Sequence, residues 1–126
     1  MRGRILVDSS VVVEAQRGNS LLIRGLIDNR EEVVISRVTS YELIYGSRDK
    51  SELRKNESLL ANIIVVEINE EISRFAYDLL GKYTLNLKLN LPDALISATS
   101  YVYSYPLWTL NKKHFAHIKE IELFSN

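Results

Sequence analysis

The 126-residue chain has no cysteine, which excludes a disulfide framework, thiolate zinc sites, iron–sulfur clusters and thiol nucleophiles. Only two prolines and five glycines occur, none clustered, so no linker, repeat or low-complexity tract divides it. One domain over residues 1–126 is expected. Net charge is absent as well, since 16 basic side chains balance 16 acidic ones. That disfavours a DNA coater working through a bulk positive field, but leaves room for a local basic groove. Long apolar runs are also missing. The longest aliphatic stretch is Ile63-Ile64-Val65-Val66, and Asp8 interrupts the first apolar run too early for a signal peptide. A cytoplasmic protein without a membrane segment is expected.

Short β-branched runs alternate with longer amphipathic segments. Residues 4–7, 33–35, 64–66 and 107–109 read as strands, with 121–124 as a closing strand. Ser20 is expected to cap a helix carrying Leu21, Leu22, Gly25 and Leu26, and residues 36–45 form the next helix. The charged stretch from Arg48 to Glu57 suits the exposed part of a helix closing on Leu59, Leu60 and Ile63. After Asn69 the helical signal is strongest. Ile72, Phe75, Ala76, Leu79, Leu80 and Tyr83 share one face, with Glu70 and Glu71 in the first turn, where the helix dipole favours them. Gly81 is expected to mark the end of that helix or a kink. Pro92 suits the first position of a helix carrying Ala94, Leu95, Ala98 and Val102, and Asn111 starts a short one through Ile118. Such alternation implies βαβ units, hence a three-layer α/β/α sandwich with a mainly parallel sheet.

In sheets of this kind ligands bind outside the carboxyl ends of the strands. Asp8 follows the first strand there, Glu42 lies about one helical turn beyond the second, Asp93 opens the helix after Pro92, and Asn111 follows the run 107–109. Each residue also has a plain structural reading. Asp8 and Asn111 suit helix caps, Thr39-Ser40-Tyr41-Glu42 matches a capping box, and Asp93 is an ordinary first-turn acid. Both readings hold together, because strand-to-helix junctions host caps and ligands alike. Clustered carboxylates repel one another, and a divalent cation relieves the repulsion. Oxygen-only ligands favour magnesium or manganese over zinc, and such ions activate water in phosphodiester cleavage.

Four blocks then carry a family resemblance. Ile5-Leu6-Val7-Asp8-Ser9-Ser10 resembles the opening of a PIN domain, and Thr39-Ser40-Tyr41-Glu42-Leu43-Ile44-Tyr45-Gly46 its second block. Pro92-Asp93-Ala94-Leu95-Ile96-Ser97-Ala98 is similar to the third, and Leu107-Trp108-Thr109-Leu110-Asn111-Lys112-Lys113-His114-Phe115 to the fourth. Order and spacing match over essentially the whole chain, and the compact form looks most like the VapC toxins of toxin–antitoxin pairs. The resemblance implies a magnesium- or manganese-dependent endoribonuclease that cuts structured RNA such as transfer or ribosomal RNA. Its implied acidic triad and metal ligands are Asp8, Glu42 and Asp93, with Ser10 and Thr109 helping to hold water or substrate phosphate. Asn111 stands where relatives often carry a further acid. It brings no negative charge, which counts against a second tightly held ion. A VapB-like antitoxin is the implied partner, reaching towards Asp8 and Asp93 with a basic side chain.

Other features read more plainly. His114 and His117 lack a third nitrogen or sulfur ligand and suit the surface or packing. Lys112 and Lys113 suit solvated charge or contacts to RNA phosphates, and the mixed charges from Arg48 to Lys55 suit a solvated helix. Tyr101, Tyr103 and Tyr105 suit packing or a dimer interface rather than base stacking. Leu21, Leu22 and Leu26, with Ile23 nearby, offer more apolar surface than one helix face can bury, so a homodimer is expected. Two rival readings are a non-catalytic PIN-like RNA-binding or scaffold domain and a phosphoacceptor receiver domain. The receiver site requires paired acids after the first strand, where this chain has only Asp8.

Overall fold

The computed structural model describes residues 3–125; Met1, Arg2 and Asn126, at the ends of the expected domain, lie outside the described residues. Each strand is short and stops at a polar residue that opens or precedes a helix. β1 (Ile5–Val7) ends at Asp8, whose side chain accepts the Ser9 N–H and caps α1 (Ser9–Gln16). α2 (Ser20–Asp28) is capped by Asn19, so Ser20 is its first helical residue rather than its cap. β2 (Val33–Ser36) runs into α3 (Arg37–Tyr45) through Ser36, whose hydroxyl accepts the Val38 N–H. Thr39 to Glu42 is therefore helix interior, and the capping-box reading fails because Ser36 has already capped the helix.

α4 (Lys50–Ala61), capped by Asp49, leads to β3 (Ile64–Val66). α5 (Glu70–Leu87) runs past Gly81 to a left-handed cap at Lys88, so Gly81 does not end it. A β-carbon at Gly81 would meet open space, and nothing in the structure explains that glycine. α6 (Leu91–Tyr103) is capped by Asn90, which places Pro92 second rather than first. β4 (Leu107–Trp108) and α7 (Lys112–Phe115) complete the elements. The expected closing strand at 121–124 reduces to a single parallel bridge between Leu107 and Leu123. The two-residue β4 gives it no longer edge to pair with.

The four described strands are all parallel, in the order β3-β2-β1-β4. Leu6 lies opposite Val34 on one side and Leu107 on the other. The chain steps outward from β1 through β2 to β3, then crosses back to β4 on the far side of β1. Between the carboxyl ends of β1 and β4 lies the topological switch point, where sheets of this class open a crevice.

Alternate strand residues feed two cores, as the period of a strand requires. Leu6, Val34 and Leu107 pack with Ile72, Ala76 and Leu79 of α5 and with Ala94, Ile96 and Ala98 of α6. Ile5, Val7, Ile35 and Trp108 pack on the opposite face with Val11 and Val12 of α1, Leu22 of α2 and Leu43 of α3. This is the expected three-layer sandwich: β1, β2 and β4 are buried on both faces, while the edge strand β3 is partly exposed at Ile64. α7 is too short to persist alone. Phe115 and the nearby Ile118, both almost fully buried, anchor its segment, each contributing roughly 2 kcal/mol of apolar burial.

Candidate functional site

Asp8 sits at the switch point, only 4% exposed. A buried carboxylate is costly unless hydrogen-bonded, and Asp8 has three neutral donors. Ser9 N–H reaches Oδ1 at 2.8 Å, while the hydroxyls of Ser10 and Thr109 reach Oδ2 at 2.9 and 2.8 Å. Those hydroxyls are themselves oriented by backbone: Leu110 N–H donates to Ser10 Oγ and Asn111 N–H to Thr109 Oγ1, both at 3.0 Å. Two parallel relays, amide to hydroxyl to carboxylate, thus tie the end of β4 to the end of β1. They satisfy the charge without neutralising it.

Glu42 projects from the second turn of α3, and Ser9 Oγ donates to its Oε1 at 3.2 Å. Burial, and then the nearby charge of Asp8, push the Glu42 carboxyl above the ordinary range, with a smaller push from Asp93. Asp93, in the first turn of α6, is raised in the same way by burial and then by Asp8. The three carboxylates are therefore within electrostatic reach of one another although they come from α1's cap, α3 and α6. Gly46, at the end of the second motif, is the C-cap of α3, and a β-carbon there would lie 3.0 Å from the Glu42 carbonyl oxygen.

Asn111 joins this group only through its backbone. Its side chain is exposed and makes no capping hydrogen bond, so the reading of Asn111 as an ordinary side-chain cap is not supported. Two residues were missed. Ser9 links Glu42 to the Asp8 segment, and His114, read as surface or packing, places Nδ1 3.4 Å from Asp93 Oδ2. The sequence signal for Ser9 was its place beside Asp8; His114 had none, because its approach depends on α7 packing against α6.

Among the described residues no three His, Cys, Asp or Glu side chains are grouped closely enough to hold a metal ion as they stand, and no ion pair reaches Asp8 or Glu42. The donor set nevertheless suits a hard divalent cation. It is built of carboxylate oxygens that repel one another and lack a basic partner at two of three positions. Tyr101 stacks on Phe75 at 4.1 Å and Tyr103 on Tyr105 at 5.3 Å, so these rings serve packing as expected.

The model of the PIN domain matches residues 5–121. Ribonuclease VapC10 of Mycobacterium tuberculosis is 36% identical over 94% of this chain and 90% of its own length. Ribonuclease VapC19 of the same species is 30% identical over 93% of this chain and 96% of its own. Among solved structures, a toxin–antitoxin complex from Klebsiella pneumoniae superposes with a TM-score of 0.79 at 26% identity, covering 93% of this chain and 94% of that one.

Proposed function

The chain belongs to the PIN domain family, and we propose that it is a divalent-metal-dependent endoribonuclease, the toxin of a toxin–antitoxin pair. One observation carries the metal-dependent chemistry: the charge of Asp8 reaches both Glu42 and Asp93 and helps to raise their carboxyls, and Asp8 and Glu42 have no cation paired with them among the described residues. Membership in this family removes the receiver alternative. A non-catalytic scaffold becomes an outcome of the test.

Asp8, Glu42 and Asp93 would hold magnesium or manganese, which when bound activates water and stabilises the leaving oxygen of a phosphodiester. Asp8 is held in one orientation by its three donors, so its carboxylate is preorganised rather than searching. Ser10 and Thr109 fix that orientation: each spends its one proton on Asp8 and accepts a backbone N–H, which leaves only an acceptor lone pair for a donor such as water. Ser9 steers Glu42 towards the same crevice. The substrate is RNA of the structured kind, such as transfer or ribosomal RNA, cut in the cytoplasm.

An antitoxin would neutralise the crevice by placing an arginine or lysine against Asp8 and Asp93, a charge-assisted pairing that competes with metal. Self-association fits α2, where Leu21 is 78% exposed and Ile23 and Ile27 are also on the surface. Of the set that offers more apolar surface than one face can bury, Leu22 is the member taken into the core. A purified protein that cuts RNA with manganese or magnesium, and is silenced by its antitoxin, meets the proposal. A complex with undiminished nuclease activity contradicts the inhibition, and RNA binding with no cleavage under either ion returns the scaffold reading.

A further inference from the structure

Beside Glu42, α1, α3 and α4 enclose a cleft of about 360 Å³ that the acid crevice does not use. Its floor is an amide relay. Asn56, buried, donates to the Leu43 carbonyl at 3.0 Å and to Ser47 Oγ at 2.9 Å, and its Oδ1 accepts Gln16 Nε2 at 2.9 Å. Every polar atom of Asn56 is thereby used to hold three helices together. Gln16 spends one N–H on that contact and keeps its carbonyl oxygen and second N–H for whatever enters the cleft. A glutamine amide held in this way presents a donor and an acceptor in one plane, the complement of a nucleobase edge.

Three cations line the cleft. Arg17 and Arg48 are paired with Glu14 and Glu52 at 2.8 and 2.6 Å. Among the described residues Lys55 has no carboxylate within ion-pair distance. In a chain of zero net charge, such a cation matters more for polyanion binding than bulk potential does. Because Glu42 also lines the cleft, an occupant abuts that carboxylate, which the charge of Asp8 reaches. The volume falls within the range of small-ligand sites.

We infer that this cleft is the subsite for the nucleotide next to the scissile phosphate, with Lys55 on its phosphate and Gln16 reading its base edge. The inference rests on the endoribonuclease reading and adds the residues that choose where RNA is cut.

The test compares wild type with Gln16→Ala, Lys55→Ala and, as a charge-matched control on the same helix outside the cleft, Lys50→Ala. Lys55 and Lys50 are exposed, whereas Gln16→Ala also removes the donor to buried Asn56 Oδ1, so the variants are compared well below melting temperatures measured for each. On oligoribonucleotides randomised around the cut, Lys55→Ala should raise KM by roughly fivefold or more with kcat unchanged. It should also lower the slope of log affinity against log salt by about 0.7, the share of one single-strand phosphate. Gln16→Ala should flatten the base preference at one position beside the cut, and Lys50→Ala should change neither. A wild type that cuts RNA, with Gln16→Ala and Lys55→Ala indistinguishable from it, overturns the subsite alone. A wild type that cuts no RNA with magnesium or manganese fails the nuclease reading and the subsite with it.

Discussion

Thr109 Oγ1 donates to Asp8 Oδ2 at 2.8 Å although 101 positions separate the two residues. The bond spans β1 and β4 across the switch point, so it serves the fold and the crevice at once. Thr109→Val keeps the shape but deprives a buried carboxylate of a donor. Stability should fall by about 1–3 kcal/mol, and RNA cleavage by roughly 10- to 100-fold, as for other groups that orient a metal ligand. Denaturant melts and initial rates check both. Unaltered cleavage in Thr109→Val would mean that the relay is purely structural.

Glu42 and Asp93 both titrate above the ordinary carboxylate range, because burial and then the charge of Asp8 disfavour their anions. Their protonated forms are the ones the fold prefers. The stability they contribute is therefore complete below the ordinary carboxylate value and is lost as pH rises through the raised one. Without metal, Glu42→Gln and Asp93→Asn should each melt a few degrees above wild type near about pH 7.5. The gain should shrink as pH falls through the raised values and the wild-type carboxyls take up their protons. Calorimetry in EDTA measures this, and a wild type more stable than both variants at neutral pH contradicts it.

Asn111 separates the two readings of the fourth motif. Its side chain caps nothing, so Asn111→Ala should leave stability within about 0.5 kcal/mol of wild type. Asn111→Asp adds a carboxylate near the crevice and should strengthen manganese binding, measured as a larger metal-dependent rise in melting temperature. Equal rises in Asn111→Asp and wild type would place position 111 outside any metal site.

Much of this arrangement was legible before the structure. Asp8 stands just past a strand end, Asp93 in a first helical turn and Glu42 one turn further into the helix that follows β2, so strand–helix alternation marks them even though distant segments bring them together. Boundaries were less legible where neighbouring residues compete for one role. Asn19 and Ser20 are both good caps, and Asn90 captures the cap before Pro92, shifting that helix by one residue. The Thr39–Glu42 motif was a true pattern in the wrong place, pre-empted by Ser36. Contacts between surface helices leave no periodic trace. The Gln16–Asn56 bond joins residues 40 apart, and the approach of His114 to Asp93 depends on how Phe115 seats α7.

The central claim is that Asp8 carries a metal-dependent cleavage site. It is tested most directly by RNA cleavage with Asp8→Asn beside wild type, each with manganese and with excess EDTA. The side chain keeps its size and loses its charge. A divalent ion contributes several kcal/mol of transition-state stabilisation, and each 1.4 kcal/mol is tenfold in rate. Wild type should cleave only with the metal, and Asp8→Asn should lose at least about a hundredfold while circular dichroism shows an intact fold. Wild-type cleavage that persists in EDTA, or an Asp8→Asn protein as active as wild type, would contradict it.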